Sequence, residues 1–121
     1  MTRALLRLEH VAAFALCLWL LLEHWAEVRL WPALLLFAYI DLIGYLPGLL
    51  ASRGGRPVHR GFHVAYNATH SLLGGAAVAL LWCALVRPEW ALLAIPLHLC
   101  GDRGLLGNSL KPFAEPFGGK G

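Results

Sequence analysis

Charge is what this sequence has least of. Only 14% of its 121 residues are Asp, Glu, Lys or Arg, against about a quarter in an ordinary soluble domain. Hydrophobic residues make up 59% and the mean hydropathy is +0.63, which excludes a disordered chain. The ten basic residues give a net charge of +3 but are scattered, so no nucleic-acid partner is expected. Cysteine is sparse too. Cys17, Cys83 and Cys100 lie far apart in apolar sequence with no CxxC spacing, which argues against a disulfide framework or a zinc knuckle. They read as small buried apolar residues. Internal repeats, low-complexity segments, a P-loop and a nucleophile elbow are all missing, and Ser71 beside His70 does not make a triad. A single integral-membrane domain over residues 1–121 remains.

Four apolar segments can be marked, at about 5–26, 31–50, 62–86 and 88–110. Each reaches the ~20 residues a helix needs to cross a bilayer. The first follows Arg3 and Arg7 like a signal peptide, but Glu23, His24 and Glu27 stand where a cleavage site belongs, so it reads as a retained helix. The predicted fold is all-α, a four-transmembrane-helix bundle. Arg3, Arg7, Arg53, Arg56, Arg60, Lys111 and Lys120 would fall on one side and only Arg29 and Arg87 on the other. The positive-inside rule then puts both termini in the cytoplasm, and a multi-pass membrane protein is expected. Trp25, Trp31 and Trp90 would form an aromatic belt at the opposite boundary.

The charges left inside the spans carry the functional reading, because an ionisable group at mid-bilayer costs about 2.5–3.5 kcal/mol and needs a partner or a cavity. They are Glu9, Asp41, His70, His98, Asp102 and Arg103. At a rise of about 1.5 Å per residue, the first five share one layer slightly to the cytoplasmic side of the midplane. His98 and Asp102 are four apart, on one helix face, and His63, Asn67, His70 and Gly74 form one stripe. Glu9, Asp41 and Asp102 bring more negative charge than Arg103 offsets, so protons or a cation must neutralise them. Three carboxylates and two imidazoles suit a divalent metal (zinc, manganese or iron), as one ion or two. Tyr45, Tyr66 and Asn67 are expected to support the ligands by hydrogen bonds. His10, Glu23 and His24 have weaker claims, while His59 and His63 read as solvated histidines at the interface. A metal-free network of His–Asp and Arg–Asp pairs, or a proton path, fits the same residues.

At these motifs the chain resembles a family of small bacterial integral-membrane proteins catalogued as domain of unknown function 4260. The resemblance rests on Leu8-Glu9, on Asp41 with Gly44-Tyr45-Leu46, and on Tyr66-Asn67 with His70. It continues through His98, Asp102-Arg103 and the close Gly107-Asn108-Ser109-Leu110-Lys111. Ile40 stands where the family usually has Pro, and the family's Thr-His-Leu-Gly tail is not recognisable in Phe113–Gly121. The resemblance implies a four-helix membrane fold and weight on the five polar positions; it implies no activity.

Three functions remain open from sequence. In the first, Glu9, Asp41, His70, His98 and Asp102 bind metal, Asp102 and Arg103 act on substrate, and the protein is a hydrolase-like enzyme for a lipid-like molecule. Oxidative chemistry at a carboxylate-bridged di-iron centre suits the same ligand types. In the second, the protein is a non-enzymatic accessory subunit or small carrier whose polar layer is a packing network or proton relay. In the third, metal binding stabilises the bundle of a sensor. The partners expected are membrane lipids, with a homo-oligomer or a larger membrane complex left open.

Overall fold

The computed structural model describes residues 1–108, 110, 111 and 117, and every regular element among them is helical. Ser109 of the closing motif, Lys120 of the basic side and most of the tail lie outside the described residues. Helix α1 runs Thr2–Glu23 and ends in a 3-10 turn, Trp25–Glu27. α2 (Leu30–Gly44) passes almost directly into α3 (Leu46–Ala51). A glycine turn leads to α4 (Arg60–His70) and α5 (Leu72–Leu85). A 3-10 turn (Trp90–Leu93), α6 (Ala94–Cys100) and a π-helical turn (Gly101–Leu105) close the described fold.

Two helical stretches, Thr2–Glu23 and Leu30–Ala51, are long and apolar enough to cross a membrane. α4 and α5 together make a third if they count as one span, bent by 65°. The bend follows from Ser71, whose extended backbone (φ −83°, ψ 148°) interrupts the helical ladder. Its hydroxyl accepts from the Gly74 N–H at 2.9 Å and so starts a new helix. Gly74 is required there, because a β-carbon would collide with the Ala68 carbonyl. The last stretch, from Trp90 to Leu105, spans only ~25 Å at helical rise, short of a hydrocarbon core of ~30 Å.

The core is small. Leu36 and Ile40 of α2 pack on Ala94, Ile95 and Leu99 of the α6 stretch, with Tyr39, Val78, Ala79 and Trp82 around them. Many large apolar side chains are turned outward, among them Leu8, Trp19 and Leu22 on α1, Leu34 on α2 and Leu80 on α5. In water such a surface would be a large unburied cost; against lipid it is the ordinary exterior. All three cysteines are free; Cys17 and Cys100 are buried as expected from sequence, while Cys83 is only partly buried.

Polar contacts tie the two ends. At one end Arg29 Nε and Nη2 donate to both carboxylate oxygens of Glu89 at 2.8 and 2.5 Å, and Trp82 Nε1 adds a bond of 2.8 Å. The guanidinium holds the Glu89 carboxyl below its usual range. Beside it the Trp90 indole donates to Glu27 and stacks on His24. At the other end Arg7 donates to the Gly104 and Leu105 carbonyls. Asn67 exchanges two bonds with the Lys111 backbone, at 2.8 and 2.6 Å.

Candidate metal centre

Four of the five expected ligands come together. Asp41 from α2, His70 from the end of α4, His98 from α6 and Asp102 from the π turn each offer one ligand atom, and these atoms lie within 4.8 Å of one another. The local reasons are legible. α2 and α4 approach closely at Gly44, where a β-carbon would collide with the Thr69 hydroxyl, and this brings Asp41 beside His70. His98 and Asp102 are one helical turn apart, and the π turn that carries Asp102 packs on α1 through Gly104, where a β-carbon would meet the Val11 amide nitrogen at 2.7 Å. Single π turns are often found at functional positions in helices.

Both histidines are oriented by backbone carbonyls. His98 Nδ1 donates to the Phe37 carbonyl at 2.6 Å, and His70 Nδ1 donates to the Tyr66 carbonyl at 3.0 Å. A carbonyl only accepts, so the proton on each imidazole is fixed at Nδ1 and Nε2 is turned into the cluster. There His70 Nε2 meets Asp41 Oδ1 at 3.1 Å and Asp102 Oδ2 at 3.6 Å. His98 Nε2 lies 3.3 Å from Asp41 Oδ2 and 3.3 Å from Asp102 Oδ2. Neutral imidazoles would aim lone pairs at carboxylate oxygens, an arrangement of acceptors only. A proton, on Nε2 or on a carboxyl oxygen, or a metal ion must therefore lie between these atoms. Both histidine side chains are 5% exposed, Asp102 is 19% exposed and Asp41 is half exposed at 49%, so the cluster is closed on the imidazole side and open at Asp41.

Glu9, expected as a fifth ligand, is exposed on α1 and stands outside this group. Depth along a helix was readable from the sequence, but the direction in which Glu9 leaves the α1 axis was not. Arg103 reaches the cluster's edge, where its Nη2 donates to the His70 carbonyl at 3.4 Å. Tyr66 supports His70 differently from the expectation: its carbonyl fixes Nδ1 and its ring stacks on the imidazole at 3.8 Å. Tyr45 touches Tyr66 edge-on at 6.1 Å. The Asn67 amide is engaged by Lys111, so its bonds go to the chain's closing segment rather than to a ligand. His63, read as solvated, is buried at 4% exposure, edge-on to Phe117. Sequence reasoning missed the Phe37 and Tyr66 carbonyls, since a backbone acceptor leaves no trace in residue type. It also missed Lys111, whose ammonium lies 4.7 Å from the Tyr66 ring centre and 5.3 Å from that of Phe117.

Comparison with known proteins adds nothing to this geometry: no family model, curated protein or solved structure matches the chain.

Proposed function

We propose that this is a multi-pass protein of the bacterial inner membrane whose Asp41, His70, His98 and Asp102 hold a divalent metal, and that it acts as a hydrolase-like enzyme on a lipid-like substrate. One observation carries the reading. Ligands at about 2.0–2.2 Å from a tetrahedral ion are ~3.3–3.6 Å from one another, and the four N–O separations here are 3.1, 3.3, 3.3 and 3.6 Å. Charge-assisted hydrogen bonds close to about 2.7–2.9 Å, as Arg29 and Glu89 do in the same molecule. These separations, taken over both oxygens of Asp41, support a reading as ligands around an ion, and one atom from each of the four residues lies within 4.8 Å of the others. The charges agree, since two carboxylates and two neutral imidazoles balance one divalent cation.

A metal bound there would supply a water acidic enough to act as a nucleophile at neutral pH. The chain's own residues do the rest. Phe37 and Tyr66 hold the imidazoles by their carbonyls, the opening at Asp41 admits substrate, and Arg103 binds an anionic group beside the cluster. Membership of the family that the motifs resemble belongs to the same proposal, supported by the convergence of Asp41, His70, His98 and Asp102.

The test is metal analysis of detergent-purified protein. About one equivalent of zinc, manganese or iron is expected in the wild type, falling at least ~10-fold in His98→Ala and in Asp102→Ala. Protein free of metal after reconstitution with each ion, with a melting temperature indifferent to chelator, would overturn the reading in favour of a protonated packing network.

A further inference from the structure

A cavity of about 510 Å³ opens between the start of α1 and the segment after the π turn, lined by Arg3, Arg7, His10 and Arg103 with Leu6 and Leu110. That volume lies within the ~300–1,000 Å³ of small-ligand pockets. Its charge is unusual for this chain. Three of the ten basic residues face one cavity, and among the described residues no ion pair reaches Arg3, Arg7 or Arg103. Arg7 is held in place by the Gly104 and Leu105 carbonyls, which are neutral acceptors. His10 Nδ1 is tied to the Leu6 carbonyl at 2.7 Å. Guanidinium groups bind the oxygens of phosphate in pairs and are weakly hydrated, which makes several of them around a pocket a phosphate-recognising set.

The apolar part of the lining points to the rest of the ligand. Leu6 and Leu110 line it with exposed apolar surface. An acyl chain lying on that surface would bring its headgroup into the cavity. We propose that this cavity binds the phosphate group of an anionic lipid. Arg103 is the link to the metal centre, since it lines the cavity and donates to the His70 carbonyl. The inference rests on the reading above and names its substrate class: a phosphate-headed lipid delivered to the cluster through Arg103.

The experiment measures binding to wild-type protein in neutral detergent, by calorimetry, with metal content determined on the same preparation. Three probes separate the sources: dioctanoyl phosphatidate, inorganic phosphate and dioctanoylglycerol. Phosphatidate is expected to bind and dioctanoylglycerol not. Arg3→Gln and Arg103→Gln should each weaken phosphatidate by ~10-fold, whereas Arg56→Gln, outside the cavity, should leave it unchanged. Inorganic phosphate binding as tightly as phosphatidate would keep the phosphate site and overturn the lipid as its source. No binding of either phosphate probe, or binding insensitive to both cavity substitutions, overturns the proposal. Full metal with no phosphate binding sinks the cavity alone; phosphate binding without metal sinks the metal centre and keeps the cavity.

Discussion

Tyr66 shows how a residue can be rightly placed and wrongly understood from sequence. Its position, four before His70 on one helix face, announces contact, and the phenol suggests a hydroxyl hydrogen bond. The support comes instead from the ring, stacked on His70 at an interplanar angle of 12°, and from the backbone carbonyl that receives His70 Nδ1–H. Removing the hydroxyl alone should then cost little. Tyr66→Phe is expected to keep metal affinity within about twofold, whereas Tyr66→Ala, which frees the imidazole to turn, should lose ~10-fold, the scale of losses when support behind a ligand is removed. Metal titration of the two variants against a competing chelator checks this. Equal losses in both would return the role to the hydroxyl.

Among the elements, the third segment was the most misleading. Residues 62–86 are uncharged throughout and read as one continuous span, because a hydropathy window sees only side-chain polarity. The 65° bend within it is backbone chemistry: Ser71 supplies the cap and Gly74 the space. Ser71, a residue type favoured at helix N-caps, was the available signal, and the high apolarity on both sides hid it. The bend has a use. It ends α4 at His70, so the imidazole lies at a helix terminus next to Asp41 instead of in mid-helix. Replacing Gly74 by Val sets a side chain against the Ala68 carbonyl, a part of the backbone that cannot rotate away. An overpacking cost of about 1–3 kcal/mol is expected, along with weaker metal binding as His70 shifts. Thermal unfolding in detergent and metal titration measure the two effects. A Gly74→Val protein with wild-type values for both would mean that the bend is not held where the structure has it. The i, i+4 pair of His98 and Asp102, by contrast, was legible because α6 runs straight into the π turn and no bend intervenes.

At the scale of the molecule, the proposal of four membrane passes has to face the bend in α4–α5 and the shortness of the stretch from Trp90 to Leu105. The contacts at the two ends supply the argument. Arg29 lies between the first two apolar helices, and it is paired with Glu89; Glu27 in the same connection bonds Trp90. The chain has therefore travelled from Gly54, at the far end of α2–α3, back to the level of Arg29 by the time it reaches Glu89. A re-entrant α4–α5 would have returned it to the level of Gly54. The final stretch then leads to Gly104, which receives Arg7 from the start of α1. If each traverse crosses the bilayer, both termini and Gly54 share the cytoplasmic side with most of the arginines, and Arg29 and Arg87 face outward. A short last helix can do this where the bilayer thins to meet it. Single cysteines at Gly54 and Arg87, in a background where Cys17, Cys83 and Cys100 are serine, test the arrangement with a membrane-impermeant thiol reagent on intact spheroplasts. Labelling at position 87 and protection at 54 until the cells are opened is the expected result. The same accessibility at both positions would make α4–α5 re-entrant, and with it the count of passes would fall.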